Sequence, residues 1–72
     1  MEAREWIDAF AAALGVDPPD DEDVEHLLAL AGVAAHASQR TAAPIACWLA
    51  ARAGRAPADA RALAEAVVTP PV

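Results

Sequence analysis

Apolar and polar positions along this chain repeat with a helical period, and no segment alternates as a strand would. Ala3, Ile7, Phe10 and Leu14 recur at three- and four-residue spacing, with Trp6 beside them. That stripe predicts a helix from about Ala3 to Leu14. Gly15 stands where a left-handed residue ends a helix, and Val16 is placed to fold back onto the last turn. A second helix is expected to open at Asp20 or Asp21, after Pro18 and Pro19, which cannot continue a preceding helix. Asp21, Glu22, Asp23 and Glu25 crowd its first turn, where the helix dipole favours negative charge. This helix should run to about Ser38.

A third helix is predicted with Thr41 as N-cap, Pro44 in its first turn and Gly54 at its end. A fourth starts near Pro57, with Asp59 in its first turn, and stops before Pro70 and Pro71. The connections are short and favour antiparallel neighbours, so the expected fold is all-α. It is a compact bundle of four short helices forming one domain over residues 1–72. The expected core is Trp6, Ile7, Phe10, Leu14, Val24, Leu27, Leu28, Ile45, Trp48, Leu49, Leu63 and Val67.

The second helix is apolar on two sides. Val24, Leu27, Leu28, Ala31, Ala34 and Ala35 share one face at 100° per residue, whereas Leu30, Val33 and Ala37 lie on another, among His26, His36 and Arg40. Either this helix runs through the middle of the domain, with Leu63, Val67 and Val68 of the fourth helix covering the second face, or that face meets a partner. The thin core expected of 72 residues favours association at this face, with a second copy or another protein.

Composition narrows the function classes. Of the 72 residues 22 are Ala, with one Phe, two Trp, no Tyr and no Lys, so bulky core material is scarce. A formal charge of −6 argues against nucleic acid, which needs a basic face. The charge is uneven: residues 1–25 hold nine acids and one Arg, net −8, and the remainder holds two acids and four Arg, net +2. A lone Cys47 excludes an internal disulfide and a thiolate zinc cluster. No apolar run reaches the ~18 residues of a membrane span, and the first residues carry no signal-peptide pattern. The expectation is a cytoplasmic protein that contacts neither membrane nor nucleic acid.

Candidate chemistry is sparse. The acidic run from Asp17 to Glu25 has two prolines where a calcium loop needs its turn glycine, and reads instead as a helix N-terminus. His26 and His36 lie ten residues apart, an axial separation of about 15 Å, too far to share a metal ion. Cys47 sits in an Ala-rich helix without an oxyanion donor, which gives no ground for catalysis. The expectation is therefore no enzyme, no cofactor and no metal. Ser38 is the candidate phosphopantetheine site of a carrier protein, since small acidic helical domains include carriers, but the carrier signature Asp-Ser-Leu at a helix start is absent. His36 and Arg40, four apart, project from one side of a continuing helix and are the candidate binding pair, with Leu30 and Val33 as the adjoining apolar face. The competing expectation is that Arg40 pairs with the acidic N-terminal third or bonds exposed carbonyls, ordering the turn before Pro44.

Glu5-Trp6-Ile7, Leu14-Gly15, Leu27-Leu28-x-Leu30-Ala31, Ala35-His36-x-x-x-Arg40-x-x-Ala43-Pro44 and Trp48-Leu49 together resemble a family of small helical domains of unknown function from actinobacteria. The resemblance spans nearly the whole chain, and its most specific part is the stretch from Ala35 to Pro44. In that family the domain occurs alone or appended to a nucleotidyltransferase domain similar to molybdenum cofactor guanylyltransferase. The resemblance therefore implies an accessory, non-enzymatic interaction module linked to molybdenum cofactor maturation, with a nucleotidyltransferase or a second copy as partner. The alternative is a carrier-type or small anion-binding protein. Gly32 and Trp48 depart from the family pattern, in which a charged residue and Phe are usual. The Gly-rich nucleotide-binding loop of the transferase is absent, and no catalytic residue is implied.

Overall fold

The computed structural model describes residues 1–67. They form four helices and no strand: α1 (Ala3–Leu14), α2 (Asp21–Ala37), α3 (Ala42–Arg52) and α4 (Pro57–Ala66). The fold is a small all-α bundle. Pro70, Pro71 and Val68, to which the sequence assigned a helix stop and part of a covering face, lie outside the described residues.

Local signals set most of the helix ends. Gly15 adopts φ 76°, and the amides of Gly15 and Val16 reach back to the carbonyls of Ala12 and Ala11 at 3.1 and 3.0 Å, satisfying the end of α1. Asp20 caps α2, its carboxylate accepting from the Asp23 amide at 2.7 Å. Pro57 begins α4, where its missing N–H does no harm. Gly54, at φ 71°, closes α3 in the same manner as Gly15 closes α1, with the Arg55 amide bonded to the Ala50 carbonyl at 3.2 Å. Thr41 differs from expectation. It sits at the N-cap position of α3, but its backbone is already helical and its hydroxyl caps nothing; the turn is held by amide bonds from Ala42 and Ala43 to the carbonyls of Gln39 and Arg40.

Helix α2 is the axis of the molecule. It packs against both α3 and α4, whereas α1 has no comparable packing against any helix. α3 returns antiparallel to α2 after a tight turn. α4 runs in the same sense as α2, with Arg61 beside His26 near the start of α2 and Val67 beside His36 near its end. The elongated envelope, 45 × 24 × 18 Å, reflects this arrangement.

The core differs from the one the periodicity predicts. Among the described residues only Ala11, Leu30 and Ala60 are buried, at 4%, 3% and 6% exposure. Trp6, Phe10, Leu14, Leu28, Ile45, Trp48, Leu49, Leu63 and Val67 were all expected inside, and each is at least half exposed. Ile7, Val24 and Leu27 are half-buried. The physical reason lies in the contacts α2 makes. Ala60 and Ala64 of α4, and Ala46 and Ala50 of α3, lie close around α2. Helices meeting through such small side chains approach closely and have no room for large ones, which are turned outwards. Leu30 is the one large side chain held where the three helices converge.

Arg4 ties α1 to the rest of the chain. Its guanidinium donates to the Pro19 carbonyl, lies 3.2 Å from the Asp8 carboxylate one turn along α1, and reaches to 3.8 Å from Asp21 at the start of α2. The only arginine of the acidic first third thus serves as its internal counter-ion.

Candidate functional site

The residues singled out from the sequence do not form one site. Leu30 is buried and forms the floor of an apolar groove between α3 and α4, so it cannot belong to an open face. The second face of α2 is, at this level, an internal one. Val33 and His36 do come together, in a shallow depression between α2 and α4 that Ala64, Glu65 and Val67 complete. Arg40 lines neither. α2 stops at Ala37, where Ser38 leaves helical geometry (φ −143°, ψ −97°), so Arg40 falls in the turn and the continuous-helix spacing on which the His36–Arg40 pair rested is lost. Nor does Arg40 form an ion pair among the described residues. Arg4, not Arg40, answers the acidic segment.

Ser38 is exposed and its hydroxyl donates to the Ala34 carbonyl at 2.9 Å, closing the last turn of α2. Cys47 is half-buried, and burial pushes its thiol above the ordinary range, which keeps it protonated and poorly nucleophilic near neutrality. No group of three metal-ligating side chains occurs among the described residues. No helix there is long and apolar enough to cross a membrane.

One polar chain escaped the sequence reading. His26 is 23% exposed and lies between α2 and α4. Arg61 Nη1 donates to His26 Nδ1 at 3.3 Å, which leaves the imidazole proton on Nε2, facing Glu22 Oε1 at 3.7 Å. Arg61 is also 3.7 Å from Glu65. The signal was present as two pairs four residues apart, Glu22–His26 and Arg61–Glu65, but nothing in the sequence states that the two helices face each other. The chain joins α2 to α4, and Glu65 at its end borders the depression that holds Val33 and His36.

What the surface offers instead is apolar area. Trp6 and Phe10 of α1 stack with ring centroids 5.1 Å apart, and Leu14 continues their stripe. On α3, Ile45, Trp48 and Leu49 project outward, and the Arg52 guanidinium lies 5.1 Å above the Trp48 ring. At the corner between α2 and α3, Ser38, Gln39, Thr41, Ala42, Ile45 and Leu49 line an open depression with an apolar floor and polar edge. Apolar patches bordered by polar groups are the ordinary form of a protein contact surface.

Fold and surface together define a small helical module that presents unpaired apolar faces and no assembled reaction centre among its described residues. Residues 1–70 match the family described as Domain of unknown function (DUF6457), and the chain belongs to that family. No curated protein and no solved structure matches it.

Proposed function

We propose that this chain is a cytoplasmic, non-enzymatic docking module of actinobacteria, accessory to a nucleotidyltransferase of molybdenum cofactor maturation. The observation that carries the docking role is the exposure of eleven large apolar side chains among 67 described residues. A domain this small leaves such area open when another surface is there to cover it. The assignment of the partner draws on the resemblance described above. Its most specific stretch, Ala35–Pro44, builds the α2–α3 corner, and Ile45 and Leu49 supply the apolar floor beside it.

The test is direct binding. Purified chain and purified molybdenum cofactor guanylyltransferase are mixed and followed by calorimetry, with Ile45→Glu as the surface variant. Ile45 is 58% exposed, so the variant should keep its helical circular dichroism and lose binding. A transferase that ignores the wild-type chain, or binds both forms equally, sinks the assignment.

A further inference from the structure

We propose that the outer face of α3 receives an acidic amphipathic helix of a partner protein, its apolar side on Ile45, Trp48 and Leu49 and its carboxylates on Arg40, Arg52 and Arg55. The proposal rests on the docking reading above for the use of this corner as a contact surface, and it adds the chemistry of what the corner meets.

The charge of the chain is not spread evenly. Residues 39–56 hold three arginines and no acid, net +3, whereas the other 54 residues carry net −9. Within that acidic remainder each arginine has its counter-ion. Arg4 lies against Asp8 and Asp21, and Arg61 against Glu65. Arg40, Arg52 and Arg55 make no ion pair among the described residues. Helix stability does not account for all three. Arg52, in the last turn of α3, suits the helix dipole, but Arg40 stands just before the first turn, where the dipole opposes a cation. The other three helices each carry acid in the first turn, and α3 carries none.

The same stretch holds apolar contact area. At 100° per residue, Ile45, Trp48, Leu49 and Arg52 fall within about 100° of arc on α3. The three apolar side chains are each more than half exposed. From Ile45 to Arg52 the stripe rises ~10 Å. The Arg52 guanidinium stays at its edge, 5.1 Å from the Trp48 ring centroid. A stripe of anchors three and four apart, with a cation before and after it, complements a helix that carries apolar anchors at the same spacing and carboxylates beside them.

Charge also selects against other occupants. A nucleic acid or an anionic bilayer extends well beyond an 11-residue helix and would meet the acidic remainder of the chain, which repels it. A second copy offers carboxylates at residues 20–25, but Val24 is the one large apolar side chain there and it is half-buried. That run brings the charge without the anchors.

The experiment uses the full chain carrying Trp6→Phe, in which Trp48 is the one remaining tryptophan. The probes are two synthetic helical peptides with the same leucine anchors three and four apart, one flanked by glutamates and the other by lysines. The glutamate peptide should shift Trp48 emission to the blue, and raising salt from about 0.05 to 0.5 M should weaken its binding. Arg52→Glu and Arg55→Glu together should weaken it about tenfold and turn the preference towards the lysine peptide. Both positions are exposed, so helical circular dichroism should be kept. No response to the glutamate peptide, or equal affinity for both peptides before the arginines are reversed, overturns the proposal. So do phosphatidylserine vesicles that shift Trp48 emission when the glutamate peptide does not. The transferase is scored separately. A chain that binds the glutamate peptide and ignores the transferase keeps this inference and loses the partner assignment. Transferase binding that the arginine reversals leave unchanged keeps the docking role and overturns the acidic occupant.

Discussion

Replacing Leu30 by Ala tests the packing scheme most sharply. Leu30 is 3% exposed, and its side chain is the one large apolar group held between α2, α3 and α4. The change removes three carbon atoms from a buried site, a transfer loss of roughly 2.4 kcal/mol at about 0.8 kcal/mol each. A cavity term adds to this, but the site adjoins an open groove, so water and neighbouring side chains fill part of the space. The expected loss is about 2–4 kcal/mol. A 72-residue domain has a total stability on the order of 4–11 kcal/mol, so the variant sits near its unfolding threshold. At ~4–8 °C per kcal/mol for this size, the melting temperature should fall by roughly 10–30 °C. Thermal and urea unfolding followed by circular dichroism at fixed protein concentration measures it. The control is Leu28→Ala, two residues away and 69% exposed, which should change stability by no more than about 0.5 kcal/mol. Sequence periodicity places Leu28 inside and Leu30 on the outer face. If Leu28→Ala costs as much as Leu30→Ala, the packing of α2 described above is wrong.

Gly32 lies inside α2, and a methyl group added there meets no atom within 4 Å; Gly32→Ala should therefore stabilise by about 0.5–1 kcal/mol through helix propensity, visible as a higher urea midpoint. Arg4→Ala removes the contacts to the Pro19 carbonyl, Asp8 and Asp21 at a side chain that is 40% exposed, so about 1 kcal/mol or less is expected. Its mark should be a change in Trp6 fluorescence with little change in the unfolding of α2–α4, and an unchanged Trp6 signal would contradict the clasp. Burial holds the Cys47 thiol above its ordinary range, so the folded chain keeps this proton after the unfolded chain has lost it. Stability from this group is complete below the ordinary thiol range and declines as pH rises through it towards the folded value. The chain has no Lys and no Tyr to confuse that window, so Cys47→Ala should flatten the alkaline fall in urea midpoint.

Helix positions were legible because their ends are chemical. Gly15, Asp20, Gly54 and Pro57 each act through a local backbone requirement, and each marks an observed boundary. The end of α2 is read one residue late because Ser38 bonds to Ala34 and closes the helix from just outside it. The core was not legible. A stripe such as Trp6–Phe10–Leu14 states that one side of a helix is apolar, but not whether this chain supplies the surface that covers it. Alanine misleads in the same way: it contributes little area and so drops out of a core estimate, yet Ala60 is buried and sets how closely α4 approaches Leu30. Of the candidate site, Val33 and His36 fell together as their three-residue spacing implies, whereas Arg40 depended on a helix that had already ended. The His26–Arg61 link joins residues 35 apart in sequence, and only the parallel course of α2 and α4 creates it.

The central place of α2 has a consequence for the order of assembly. Both packing seams run through this helix, so no pair of helices lacking it has an extensive partner surface. The α2–α3 hairpin closes over a turn of four residues and is the cheapest contact to form; α4 then adds to its other side. α1 takes no part in either step. Its amides should exchange with solvent through a low-energy opening that leaves the three-helix unit intact, and a chain shortened to begin at Asp20 should still fold. The N-terminal helix is thus separable in folding from the three helices that follow it.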